Sequence, residues 1–217
     1  SGCISVFSTK AAFAAMKDDS SVVAWGDSQY GGDASSVSSA LSSQVANVFA
    51  NLHAFVALKF DLSVVTWGSH SYGGSISSST AVLLDSNVIW VVGSETAFAA
   101  LTNDGSVVTW GNNTGGELTV GQSNALNGSV SAVYTNGHAF AALKVNGSLV
   151  IWGQGTNGGS DFVSEDDLVY ASVSGSNAYN GNSTVLEHQD SCDAGKSLAL
   201  FEFSDSVSTG TIISHRD

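Results

Sequence analysis

Gly137-His138-Ala139-Phe140-Ala141-Ala142-Leu143-Lys144-Val145-Asn146-Gly147-Ser148-Leu149-Val150-Ile151-Trp152-Gly153 decides the fold, because the chain writes this phrase four times. The first copy has Ala12-Phe13-Ala14-Ala15-Met16-Lys17 and then Ser21-Val22-Val23-Ala24-Trp25-Gly26. The second has Ala54-Phe55-Val56-Ala57-Leu58-Lys59 and then Ser63-Val64-Val65-Thr66-Trp67-Gly68. The third occupies 97–101 and 106–111. A Gly-Gly pair follows each copy, at 31–32, 73–74, 115–116 and 158–159. Phe13, Phe55, Phe98 and Phe140 stand 42, 43 and 42 residues apart, and Trp25, Trp67, Trp110 and Trp152 keep the same steps. Two landmarks in register over four copies define a tandem repeat.

Each unit predicts a short meander of strands. The Ala-Phe-Ala-Ala-Leu piece is apolar at every position, as in a strand buried on both faces. Asn103-Asp104-Gly105 and Val145-Asn146-Gly147 follow it, and their Asp-Gly and Asn-Gly pairs predict two-residue hairpins. The next strand, Ser-Val-Val-x-Trp-Gly, is rich in β-branched and aromatic residues. The glycines after it allow tight turns, since glycine takes φ values closed to other residues. A polar stretch then leads to a further strand, such as 45–49 or 130–134, which completes the unit.

One such unit cannot bury both of its faces. Neighbours must stack, with the repeated Phe and Trp as the layer between them. The expectation is an all-β chain: a β-propeller of about five blades, or an open arc of blades, built from 42-residue repeats. The whole chain, 1–217, reads as one repeat domain. Residues 1–160 hold the four clear repeats, and 161–217 read as a degenerate fifth blade or a terminal cap. That last part has strand-like pieces at 168–173, 184–186, 198–203 and 211–213, but no further Ser-Val-Val-x-Trp-Gly.

The wording of 137–153, and of Asp104-Gly105-Ser106-Val107-Val108-Thr109-Trp110-Gly111, resembles the repeat of the regulator of chromosome condensation family. The likeness runs over residues 1 to about 160. It implies a β-propeller, typically of seven blades. It implies a binding role, since members include exchange factors for small GTPases, chromatin-binding proteins, domains of large ubiquitin ligases and a secreted inhibitor of β-lactamase.

Charge narrows the partners. The chain carries 19 acidic against 6 basic residues, a net charge of −13. Nucleic-acid binding needs clustered Lys and Arg, and none is present. An anionic membrane surface would repel the chain, and no apolar run approaches the length of a span. The expected partner is a protein, or a second copy of the chain. Ser1 at the start predicts a processed N-terminus.

No residue pattern calls for chemistry. His53 and His138 share one repeat position, where a backbone carbonyl would satisfy the ring, and a metal would need further ligands close by. The acidic runs at 18–19 and 165–167, and Glu187, Asp190 and Asp193, suit solvated loops or, for 165–167, a calcium ion. The Asp-x-Asp-x-Asp-Gly loop is absent, and so is a nucleophile elbow. No cofactor, catalytic residue or metal site is assigned. Cys3 and Cys192 admit two readings: a bridge fastening the ends of a ring, or two unpaired buried thiols. Asn112, Asn127, Asn146 and Asn182 open N-glycosylation sequons.

The expected function is therefore a non-catalytic structural or protein-interaction scaffold in an extracellular or secretory compartment. An open arc leaves strand edges that recruit other chains, so self-assembly into a filament or lattice belongs to this reading. Two alternatives accompany it. One is a partner-binding propeller such as a small-GTPase exchange factor. The other is a sugar-binding propeller, with Tyr30 and Tyr72 at matching positions to stack on a sugar.

Overall fold

The computed structural model describes residues 2–112 and 118–159, and the strands Leu198–Glu202 and Thr211–His215. Four three-stranded antiparallel sheets follow one another along the chain. The first is β1 (Cys3–Ser8), β2 (Ala12–Lys17) and β3 (Val22–Gly26). The second is β4 (Val45–Ala50), β5 (Ala54–Lys59) and β6 (Val64–Gly68). The third is β7 (Val88–Gly93), β8 (Ala97–Thr102) and β9 (Val107–Gly111). The fourth is β10 (Val130–Thr135), β11 (Ala139–Lys144) and β12 (Leu149–Gly153). A further hairpin joins β13 (Leu198–Glu202) to β14 (Thr211–His215). The pieces at 168–173 and 184–186 lie outside the described residues.

The strand that follows each polar stretch opens the next blade; it does not complete the one before. Val45–Ala50 pairs with Ala54–Lys59, Val48 facing Ala57. Chain closure explains this. Only residues 51–53 separate β4 from β5, whereas 27–44 separate β3 from β4, and a short link closes a hairpin at the lower entropic cost.

The hairpin turns also differ from the two-residue form. Thr102 N–H donates to Ser106 C=O at 2.9 Å and Gly105 N–H to Thr102 C=O at 3.0 Å. The loop is thus 103–105, and in it Gly105 alone has positive φ, at 77°. This is a three-residue loop with one left-handed position. The other blades place Ser20 (φ 60°), Leu62 (φ 66°) and Gly147 (φ 85°) there. The aspartate before it supports the turn, with a glycine after Asp104 and without one after Asp61. Asp61 Oδ1 accepts from Ser63 N–H at 3.0 Å, and Asp104 Oδ1 from Ser106 N–H at 3.0 Å. The hydroxyls of Ser63 and Thr102, which donate to the same carboxyls, and then these backbone bonds hold both carboxyls below their usual pKa.

The polar links carry short helices. α1 (Ser78–Leu83) is capped by Ser77, and α2 (Val120–Ala125) by a Thr119–Gln122 capping box. Each link also sends one leucine inward: Leu41, Leu84 and Leu126 are each about 1% exposed.

Among the described residues three cores result, each between neighbouring blades. Ala12 and Ala14 of the first blade meet Phe55, Ala57 and Trp67 of the second. Ala54, Val56 and Leu58 of the second meet Phe98, Ala100 and Trp110 of the third. Ala97, Ala99 and Leu101 of the third meet Phe140, Ala142 and Trp152 of the fourth. A blade therefore shows aliphatic residues to the blade after it and a Phe–Trp pair to the blade before it. Burying one side chain of that size stabilises by roughly 1.5–3 kcal/mol, and no isolated blade makes that gain.

Candidate functional site

Inter-blade junctions set the geometry from which any binding surface must be built. Phe55 lies opposite Trp67 across β5 and β6, with ring centroids 5.1 Å apart and planes at 19°. The Gly-Gly turn of the first blade covers that stack. Trp67 Nε1 donates to Gly31 C=O at 3.0 Å, and a Cβ on Gly31 would stand 2.7 Å from Phe55 Cδ2. The next junction repeats this. Trp110 Nε1 donates to Gly73 C=O at 3.1 Å, and a Cβ on Gly73 would stand 2.7 Å from Phe98 Cδ2. Glycine is required here by close approach, with φ of 93° and 95° as a second reason. Trp152 Nε1 is buried at the matching place; Gly115 and Gly116 lie outside the described residues.

Backbone bonds run through the same junctions. Lys10 N–H donates to Leu52 C=O at 3.0 Å, Leu52 N–H to Glu95 C=O at 3.3 Å, and Glu95 N–H to Gly137 C=O at 2.6 Å. On the opposite side, Val45 N–H donates to Ser20 C=O at 3.0 Å, Val88 N–H to Leu62 C=O at 3.0 Å, and Val130 N–H to Gly105 C=O at 2.9 Å.

The first blade has no predecessor among the described residues, and its Phe–Trp pair lies open. Phe13 and Trp25, which the repeat places with the core, are each 46% exposed, whereas Phe55 is 0% and Trp67 2%. They still stack, with centroids 5.6 Å apart. Val23, Ile4 and Val6 of the same sheet are exposed too. This apolar sheet face is the candidate interaction surface.

The loops entering β2, β5, β8 and β11 carry a second feature. Their first residues are Thr9, Asn51, Ser94 and Asn136, again 42, 43 and 42 apart. Asn51 Oδ1 accepts from Ala54 N–H at 2.8 Å while its Nδ2 donates to Tyr72 C=O at 2.8 Å. Asn136 does the same with Ala139 N–H and Asn157 C=O, at 2.8 and 2.9 Å. Thr9 Oγ1 bonds Ala12 N–H and Tyr30 C=O. Thr9, Asn51 and Asn136 thus clamp their loops to the Gly-Gly turn of their own blade, while the Ser94 hydroxyl bonds within its own loop, to Ala97 N–H. Reading the repeat by its aromatic landmarks misses them, although the spacing was there to be found.

His53 sits between two tyrosines, not against a backbone carbonyl. Its ring stacks on Tyr30 at 5.3 Å and on Tyr72 at 4.1 Å. Histidine thus fills the slot between the residues expected to grip a sugar. Burial lowers the His53 pKa, the Lys10 charge lowers it further, and Glu95 opposes both. His138 Nδ1 lies 3.4 Å from Glu95 Oε2.

Comparison with solved structures places the fold. Prp20p from Saccharomyces cerevisiae, whose structure was reported with its binding properties to Gsp1p and histones, superposes with a TM-score of 0.52 at 17% identity, over 94% of this chain and 57% of its own. The fold is that of an RCC1-like β-propeller. The ectodomain of the Physcomitrella patens receptor kinase CR4 matches at 15% identity and a TM-score of 0.46, over 70% of this chain and 39% of its own. Human WBSCR16 matches at 18% and 0.43, over 70% and 47%. This chain spans about two-fifths to three-fifths of the length of these structures. No family model matches the sequence, and no curated protein matches it.

Several expected positions find their place on the RCC1-like array. Cys3 opens β1 on the exposed end of the first blade, which departs from a buried thiol; Cys192 lies outside the described residues. Asn127 and Asn146 are exposed in turns, Asn112 is half-buried after β9, and Asn182 lies outside the described residues. The acids at 165–167, 187, 190 and 193 also lie outside. Among the described residues, no three His, Cys, Asp or Glu side chains group as metal ligands. No helix among them is long and apolar enough to cross a membrane.

Proposed function

We propose that this RCC1-like chain is a non-catalytic protein-interaction scaffold of an extracellular or secretory compartment, and that it engages protein through the open face of its first blade. One observation carries the reading: a Phe13–Trp25 stack that is half exposed, while its counterparts at 55 and 67 are buried. Aromatic pairs of this kind anchor protein interfaces when water is driven off them. The solved Prp20p is described as binding proteins, which agrees with a binding role for the fold but names no partner for this chain. The net charge of −13 disfavours nucleic acid and anionic membrane as occupants. No observation favours the exchange-factor or the sugar-binding alternative, and His53 already stacks on both Tyr30 and Tyr72.

Cross-linking of the natural material, read by mass spectrometry, tests this. Lys10 and Lys17 flank the open face, and links from them to another protein chain are expected. If both lysines link only within the chain, the scaffold reading fails. Glycosidase treatment tests the compartment: a loss of mass at peptides containing Asn127 or Asn146 is expected for secreted material.

A further inference from the structure

Asn-Gly occurs at 127–128, 136–137, 146–147, 157–158 and 180–181; the pair at 180–181 lies outside the described residues. This dipeptide has a chemistry of its own. The glycine nitrogen can close on the asparagine Cγ, since no side chain crowds the approach. A five-membered imide then forms and ammonia leaves. The fold governs this reaction through what it does with the two reacting groups, and the four described pairs differ.

Three of them are held. Asn136 accepts from His138 and Ala139 N–H through Oδ1 and donates from Nδ2 to Asn157 C=O, while Gly137 N–H donates to Thr135 Oγ1 at 3.1 Å. Asn146 Oδ1 accepts from Ser148 N–H, and Gly147 N–H donates to Lys144 C=O at 2.9 Å. Asn157 Nδ2, the leaving group of its pair, donates to Gln154 Oε1 at 2.8 Å.

Asn127–Gly128 is different. Among the described residues neither Asn127 Nδ2 nor Gly128 N–H has a hydrogen-bond partner. Asn127 Oδ1 accepts from Ser106 Oγ at 3.4 Å, a donor placed where negative charge develops on that oxygen during attack. A Cβ on Gly128 would meet nothing closer than Asp104 C=O at 3.9 Å, so the approach is open. Asn127 is exposed, and so are Ser42 and Asp85, which hold the same repeat position. Those two lead into blades with a neighbour on each side, so flanking blades leave this position uncovered.

We infer that Asn127–Gly128 is a deamidation site that controls the junction between the third and fourth blades. Gly128 N bonds to Asn127 Cγ, the Cγ–Nδ2 bond breaks, and ammonia departs with the amide proton. Water then opens the imide to aspartate or isoaspartate. The surroundings give this step its consequence. Leu126 C=O accepts from Val107 N–H at 2.9 Å, and Val130 N–H donates to Gly105 C=O at 2.9 Å. The third blade is thus stitched to the chain on both sides of Asn127. Isoaspartate routes the backbone through the side chain and adds one atom between the two stitches, which displaces one against the other and loosens the fourth blade. Aspartate leaves the backbone path as it was. None of this rests on the scaffold reading.

Ageing of the full chain tests the inference. The material comes from a host that adds no N-glycan, because a sugar on Asn127 would occupy the same Nδ2. Peptide mass spectrometry follows the gain in mass from NH2 to OH, and an isoaspartate assay follows the rearranged product. The expected result is modification at 127 several-fold ahead of 136, 146 and 157, faster as pH rises, with the lead lost in urea. The aged parent should melt below the fresh protein. Asn127→Ser, which places there the residue found at 42, should melt alike fresh and aged. Modification at 127 that only keeps pace with 146 in the folded chain, or a lead that persists in urea, would overturn the site. Aged Asn127→Ser that falls as far as aged parent would overturn the junction role.

Discussion

Trp67 stands 36 residues from Gly31 in the chain, yet its indole Nε1 donates to the Gly31 carbonyl at 3.0 Å across the first inter-blade junction. The bond is buried and ties the two most repeated signals of the sequence, Trp-Gly and Gly-Gly, into one contact between blades.

Trp67→Phe removes the donor and leaves the Gly31 carbonyl buried without it. An orphaned buried acceptor costs about 1–3 kcal/mol, so a loss near ~2 kcal/mol is expected in urea unfolding. Trp25→Phe, at the open end, should change dilute monomer by no more than about 0.5 kcal/mol, the usual range for a surface site. Equal losses at the two positions would contradict the open-end assignment.

Gly73→Ala and Gly158→Ala form a matched pair. Both glycines have φ above 90°, which costs an alanine roughly 1–2 kcal/mol. Only at Gly73 does the new methyl also meet Phe98, at 2.7 Å, and overpacking adds about 1–3 kcal/mol. Thermal melts of the two variants should therefore separate clearly, with Gly73→Ala the lower.

Ser20 and Leu62 hold left-handed positions that Gly105 and Gly147 fill in the other blades. Ser20→Gly and Leu62→Gly should each raise stability, because relief of about 1–2 kcal/mol of left-handed strain outweighs the roughly 0.5–1 kcal/mol of added chain entropy. The gain expected is up to ~1 kcal/mol per site, read as a rise of about 2–4 °C in Tm for a chain of this size.

Burial lowers the His53 pKa from 6.5, so near that pH the unfolded chain binds the proton more readily than the folded one. Stability from the neutral ring is complete above pH 6.5 and is lost as the pH falls toward the lower folded value. His53→Phe keeps a flat ring between Tyr30 and Tyr72 and removes the titration. The parent's Tm should rise relative to the variant's as pH goes from 5 to 7; a constant difference would rule out His53 as the titrating group.

The repeat, the strands and the all-β class were legible in the residues, because period and alternation are local properties. Phe55, Trp67, Phe98, Trp110, Phe140 and Trp152 declare themselves through spacing alone. Which strand joins which blade was less legible, since Val45–Ala50 is equally strand-like in either grouping. The short loop through Asn51 decides that, by making one hairpin cheaper to close. The loop clamp by Thr9, Asn51 and Asn136 was visible only as a weak recurrence of small polar residues, and its meaning lies in carbonyls 21 residues away. Sequence by itself determined the unit: strand, left-handed turn, strand, glycine pair. Tertiary structure alone decided that Phe13–Trp25 is surface while the same pair at 55 and 67 is core. The two pairs are chemically alike, and they differ only in whether another blade stands in front of them to take their area from water.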